Sequence, residues 1–225
     1  MAGRRRFNAL RELGWTQIPV NILLKDATET DIRVIAVNEN LQRNELEDVE
    51  KGFAILSIFE SNGYTGQQAI YGTKVIDNYY AKNPKAKQYD VRNLVLHIRE
   101  NINSRPSEAR DNFIPDENFV QTCRHIALTP KYQYQLLQIV VQLDPDVLVE
   151  AQKTGLSMKK KSLLTNSRLL DHPEIQKGLI KEIGSMDDEE AAYEVRQKIN
   201  DLETGYIKPA GGGLLAQWRT KGKDS

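Results

Sequence analysis

From Asp116 to Leu143 the chain alternates polar cap, amphipathic segment, short turn, polar cap, amphipathic segment. That order restricts it to helices packed on helices. Asp116 precedes a segment whose pattern predicts a helix through Ala127, and Leu128-Thr129-Pro130 forms the turn. Thr129 suits the N-cap of the next helix and Pro130 its first turn, where a missing N–H costs nothing. The second helix, Lys131 to Leu143, is expected to bury Leu136, Leu137, Val140 and Val141 and to expose Lys131, Tyr132, Gln133, Gln135 and Gln138. Two helices joined by so short a turn match a helix-turn-helix, a pattern found both in DNA readers and in purely structural hairpins. The exposed residue types favour the reader. Glutamine amides pair with adenine edges, and lysine and tyrosine suit phosphates and bases.

The same logic organises the rest of the chain. Arg5 to Leu13 predicts a helix stopped by Gly14. Ile18 to Leu24 is β-branched and apolar and predicts a short strand. Thr28 or Thr30 caps a helix whose buried face is expected to be Ile32, Ile35 and Ala36. A following helix to Glu60 carries Val49, Phe53 and Leu56 at helical spacing, and Asn62-Gly63 closes it. Thr65 opens a helix to about Ile76, and Val91 to Ile102 is amphipathic through Val91, Leu94, Val95 and Ile98. Asn103 to Pro115 has prolines, serines and no periodicity, as a linker does. Beyond Asp144-Pro145 come shorter helices, the last opening in Asp187-Asp188-Glu189-Glu190, and a Gly211-Gly212-Gly213 tail.

Charge is informative only locally. The 225 residues balance to a formal net charge of zero with 28% charged residues, so no global field attracts nucleic acid. Ala151 to Leu170, however, holds Lys153, Lys159, Lys160, Lys161 and Arg168 and no carboxylate. This is either a solvated helix face or a phosphate-contacting surface beside the reader. Cys123 is the only cysteine, which rules out an internal disulfide. No apolar run spans a bilayer, and no signal-peptide core follows Arg4-Arg5-Arg6. A soluble intracellular protein without membrane contact is expected.

Two polar clusters carry further chemistry. Gly3 permits close backbone approach, and Arg5 and Arg6 open a helix where anions are favoured and arginine forks match phosphate oxygens. In Glu39-Asn40-Leu41-Gln42-Arg43, Glu39 and Asn40 offer a carboxylate and an amide oxygen to magnesium, with Gln42 and Arg43 near enough to contact base, ribose or phosphate. The alternative is a helix junction knitted by weak Glu–Arg pairs. Neither cluster is a P-loop.

These clusters also carry a resemblance. Gly3-Arg4-Arg5-Arg6-Phe7-Asn8-Ala9, Ile18-Pro19-Val20 and Glu39-Asn40-Leu41-Gln42-Arg43-Asn44-Glu45-Leu46 resemble the nucleotide-binding half of ParB-type DNA partition proteins. That family writes its boxes Gly-Glu-Arg-Arg-x-Arg-Ala and Glu-Asn-Leu/Ile-Gln-Arg-x-x-Leu. The resemblance resumes at the helix-turn-helix and runs through Asp144-Pro145-Asp146-Val147, Lys153-Thr154-Gly155-Leu156-Ser157-Met158 and Leu163-Leu164. Arg4 stands where the family has Glu, and Asn8 where it usually has Arg. Because the first box opens the chain, the N-terminal domain is expected to be incomplete.

The resemblance implies an α+β, mostly helical chain: a remnant of a ParB/sulfiredoxin-like α/β domain (residues 1–62), a helical insertion and linker (63–115), an all-helical helix-turn-helix domain (116–185) and a C-terminal helix with a tail (186–225). It implies a dimeric, CTP-gated clamp on a palindromic centromere-like site in double-stranded DNA, acting in the cytoplasm with a ParA-type ATPase, and at most slow CTP hydrolysis. Gly3, Arg5, Arg6, Glu39, Asn40, Gln42 and Arg43 would serve CTP, with Mg2+ on Glu39 and Asn40. Thr129, Lys131, Tyr132, Gln133, Gln135, Gln138, Lys159, Lys160, Lys161 and Arg168 would meet DNA. The other reading is a ParB-like transcription or nucleoid-occlusion regulator without nucleotide activity.

Overall fold

The computed structural model describes residues 4–18, 29–41, 46–103 and 113–204. Among these, eleven α-helices and one 3-10 turn appear and no strand. The strand expected over 18–24 lies outside the described residues except for Ile18, which is irregular. The chain divides into two compact units between Leu148 and Val149.

The first unit contains α1 (Arg4–Glu12), α2 (Glu29–Leu41), α3 (Asp48–Ser61), α4 (Gly66–Lys82), the 3-10 turn Pro84–Gln88, α5 (Val91–Asn103), α6 (Glu117–His125) and α7 (Pro130–Gln142). Local chemistry sets the ends. Gly14 and Gly63 stop α1 and α3 with φ of 77° and 84°, a region where glycine alone meets no steric cost. Glu47 and Glu50 form a capping box at α3, and Thr65 and Gln68 form one at α4.

Helix α7 packs against both α3 and α4. Its approach to α3 is close because residue 52 lacks a side chain: a Cβ on Gly52 would lie 2.6 Å from Val140 Cγ1 and 3.0 Å from the Leu136 carbonyl oxygen. The core takes Ile55, Ile58 and Phe59 from α3, Ile70 and Ile76 from α4, Leu94 and Ile98 from α5, and Leu136, Leu137 and Ile139 from α7. Phe119 of α6 stacks on Phe59 at 4.8 Å and meets Tyr64 and Phe113 edge-on at 4.9 and 5.2 Å. The end of the expected linker is therefore part of the core.

Two helical faces differ from expectation. In α2, Ile32, Ile35 and Ala36 are exposed, and Val34 and Leu41 are buried instead. In α3, Phe53 is exposed, and Ile55, Ile58 and Phe59 fill the core. Both stretches are apolar around much of their circumference, so spacing alone did not choose the face.

The helix α8 (Pro145–Lys153) spans the division. The second unit continues with α9 (Met158–Leu164), α10 (Pro173–Ile183) and α11 (Asp188–Thr204) around Leu164, Leu169, Leu179, Ile180, Ile183, Ala191 and Val195. Gly155 turns at φ 67° and Ser157 caps α9 by accepting the Lys160 N–H. The buried Gln176 amide donates to the Leu164 carbonyl at 2.9 Å.

Candidate nucleic-acid interface

The helix-turn-helix geometry rests on two caps. Asp116 accepts the Phe119 N–H at 2.7 Å and the Tyr64 hydroxyl at 2.7 Å, which fixes the start of α6 against the end of α3. Thr129, itself exposed, accepts the Tyr132 N–H at 3.3 Å, and Pro130 follows as the first residue of α7. The turn is tied down from inside and outside. Gln133 donates to the carbonyls of Cys123 and Leu128, each at 2.8 Å, and so stitches α6, the turn and α7 together. From α2, Asn38 accepts the Ala127 N–H at 2.9 Å and donates to the His125 carbonyl at 2.6 Å.

Gln133 therefore does not belong to the exposed face: it is 0% exposed and its amide is used internally. Tyr132 is half-buried, and its hydroxyl donates to Asp48 of α3 at 2.9 Å. Burial and then the Asp48 hydrogen bond push the Tyr132 hydroxyl up to about 12. Cys123 is fully buried, which raises its thiol to about 12 and leaves it unreactive.

The outward face of α7 is a polar stripe at i, i+4, i+7 and i+11: Lys131, Gln135, Gln138 and Gln142. Lys131 is exposed and the three glutamines are half-exposed. Gln138 donates to Gln142 at 3.3 Å. Tyr134 flanks the stripe, with Lys74 Nζ 5.6 Å from its ring centre. Gln142 was not singled out from the sequence, although its spacing from Gln138 and Gln135 was readable there. Three long polar amides and a cation projecting from one face of a capped helix can reach base edges and a phosphate.

The basic segment of the second unit is arranged differently. Lys159 Nζ lies 3.1 Å from Asp188, which also accepts the Ser157 hydroxyl at 3.1 Å. The Lys159 hydrogen bond holds the Asp188 carboxyl below its ordinary range. Lys160 is 7% exposed and donates to the Gly184 and Met186 carbonyls at 3.3 and 2.5 Å. Lys161 is 5% exposed, and Arg168 Nη1 meets Glu203 at 2.7 Å. Lys160 and Lys161 are thus structural rather than a solvated face, and Lys159 and Arg168 are paired with α11.

The first polar clusters are placed only in part. Arg5 and Arg6 lie on α1; Glu39 and Asn40 lie near the C-terminal end of α2, half-buried and exposed respectively. Gly3, Gln42 and Arg43 lie outside the described residues. Among the described residues no cluster of three or more His, Cys, Asp or Glu side chains could hold a metal ion. No described helix is long and apolar enough to cross a membrane.

Against known proteins, the chain is 37% identical over 70 residues to a nucleoid occlusion protein of Geobacillus kaustophilus, covering 31% of this chain and 24% of that one. It is 39% identical over 70 residues to a nucleoid occlusion protein of Oceanobacillus iheyensis, covering 31% and 23%. The same length is 37% identical to one from Bacillus cereus, again 31% and 23%. These relatives are ParB-family members. Over that stretch the chain is ParB-related. The ParB-related stretch spans about a quarter of the length of the curated relatives it matches. No family model matches the chain, and no solved structure matches it significantly.

Proposed function

We propose that the chain is a sequence-specific, double-stranded-DNA-binding protein of the ParB type that reads its site with the outward face of α7. The observation that carries this reading is the Lys131–Gln135–Gln138–Gln142 stripe on the second helix of a capped helix-turn-helix, in a ParB-related chain. Lys131 would meet a phosphate at the N-terminal end of α7, and Gln135 and Gln138 would lie along base edges in the major groove. Gln133, Lys160 and Lys161 are excluded from the interface by their burial, and Tyr132 orients α7 through Asp48. A palindromic site read by a homodimer at the nucleoid in the cytoplasm, with a ParA-type ATPase as partner, belongs to the same proposal.

The names of the relatives favour one branch of that reading. Each is a nucleoid occlusion protein, so a nucleoid-associated regulator is preferred to a plasmid partition factor.

Control by a nucleotide is the second element of the proposal. Glu39 and Asn40 supply a carboxylate and an amide oxygen, donor types that suit a hard cation. Arg5 and Arg6 would hold phosphates. Mg2+ and CTP, when bound, would bring a compact charge to the end of α2. The adjoining residue, Asn38, already grips the turn before α7. A ligand bound at the α2 terminus would therefore bear directly on the placement of the reader.

Selection of random duplexes on the purified chain tests the DNA reading. Enrichment of one sequence family, inverted-repeat if the chain acts as a dimer, is expected; recovery of random sequence contradicts sequence-specific binding. Calorimetric titration with CTP and magnesium, on wild type and Asn40→Ala, tests the nucleotide element separately.

A further inference from the structure

A second cationic surface lies outside the helix-turn-helix. We propose that Lys85, Lys87 and Arg92, with Tyr89 among them, form an ancillary contact to the phosphate backbone of duplex DNA; this rests on the DNA-binding reading above. All four side chains are exposed. They fall on the 3-10 turn Pro84–Gln88 and the start of α5, within a chain whose net charge is zero.

Three observations separate this patch from an ordinary solvated face. First, its cations are not neutralised: among the described residues none of Lys85, Lys87 and Arg92 forms an ion pair, whereas Lys159 and Arg168 both do. The nearest carboxylate in sequence, Asp90, is turned to the backbone and side chain of Asn93 as the cap of α5. Second, the turn is anchored. Arg124, in the last turn of α6, donates to the Tyr89 carbonyl at 2.7 Å, to the Ala86 carbonyl at 3.4 Å and to the Tyr80 hydroxyl at 3.0 Å, while Ala86 itself is buried. One guanidinium thus fixes the basic turn against the first helix of the helix-turn-helix. Third, that helix is the one that crosses the phosphate backbone when the second helix enters the groove. A basic turn held at the end of that helix would lie near the backbone beside the reader. The aromatic side of Tyr89, packed on His97 at 5.3 Å, adds a ring able to lie against sugar.

Phosphate contacts release counterions and carry no sequence information, so the expected signature is specific. The full chain carrying Lys85→Gln, Lys87→Gln and Arg92→Gln is titrated against the selected site and against a random duplex over a series of salt concentrations. The slope of log affinity against log salt should fall in magnitude by about 3, about one unit per residue. Affinity should fall on both duplexes alike, on the order of tenfold or more at low salt. If the triple variant melts early, Lys87→Gln alone should lower the slope by about one, and the exposed Lys181→Gln should not change it. Unchanged slope and affinity in a folded variant, or an equal change from Lys181→Gln, overturns the inference and leaves the reading of α7 intact. A wild-type chain that binds neither duplex overturns both.

Discussion

The carboxamide of Asn38 accepts the backbone N–H of Ala127 at 2.9 Å and donates to the carbonyl of His125 at 2.6 Å. A residue on α2, directly before Glu39 and Asn40, thereby holds the end of α6 and the start of the turn that delivers α7. Asn38→Ala should cost about 1–2 kcal/mol, two net hydrogen bonds at a site water can reach. Asn38→Asp should recover only part of it, because a carboxylate still accepts the Ala127 N–H but has no donor for the His125 carbonyl. Urea unfolding measures both, and an Asn38→Asp variant as stable as wild type would contradict the pairing.

Gln133 makes the opposite case to its neighbours on α7. Gln133→Ala should leave the buried Cys123 carbonyl and the part-buried Leu128 carbonyl short of a donor and destabilise the unit by about 1–3 kcal/mol. Its remaining folded fraction should keep its preference for the selected DNA site. Loss of site preference without loss of stability would return Gln133 to the interface.

How much of this was legible in the sequence depends on the kind of signal. Helix ends were readable because caps are local: Thr65, Asp116, Thr129 and Ser157 each accept the N–H they were placed to accept or open the helix they precede. Burial was less readable. Gln133 and Lys160 have apolar stems and polar ends, and only the tertiary fold supplies the carbonyls that bury them. The spacing on α7 predicts one buried side, but α7 lies against both α3 and α4. Ile139, which the sequence did not place in the core, is consequently buried with Leu136 and Leu137. Asn38 and Arg124 act across long sequence separations, and no spacing rule points to them.

The α3–α7 crossing gives a third expectation. Gly52→Ala gains about 1 kcal/mol in helix propensity. The new Cβ would sit 2.6 Å from the stiff Val140 side chain and 3.0 Å from the Leu136 carbonyl, an overpacking that costs about 1–3 kcal/mol. Because one of the two neighbours is backbone, the clash should win. A lower melting temperature is predicted, and an unchanged or higher one would show that the helices separate freely.

Alkaline pH offers a fourth. Burial raises the Tyr132 hydroxyl from 10.0 to about 12. Between those values the folded chain keeps a proton that the unfolded chain loses, so stability falls as pH rises. Its contribution is whole below pH 10 and gone above 12. Cys123, raised from 9.0 to about 12, acts in the same direction from pH 9 upward. Tyr132→Phe should be less stable at neutral pH, through loss of the Asp48 bond, yet show a shallower decline from pH 10 to 12. Parallel profiles for the two proteins would contradict this.

The most direct test of the account is the ratio of affinities for the selected site and for random DNA in Gln135→Ala and Gln138→Ala. Each substitution should weaken the selected site by about 1–3 kcal/mol, roughly five- to 150-fold, and barely change random-DNA binding. Equal weakening on both DNAs, or none on either, would contradict the assignment of α7 as the reader.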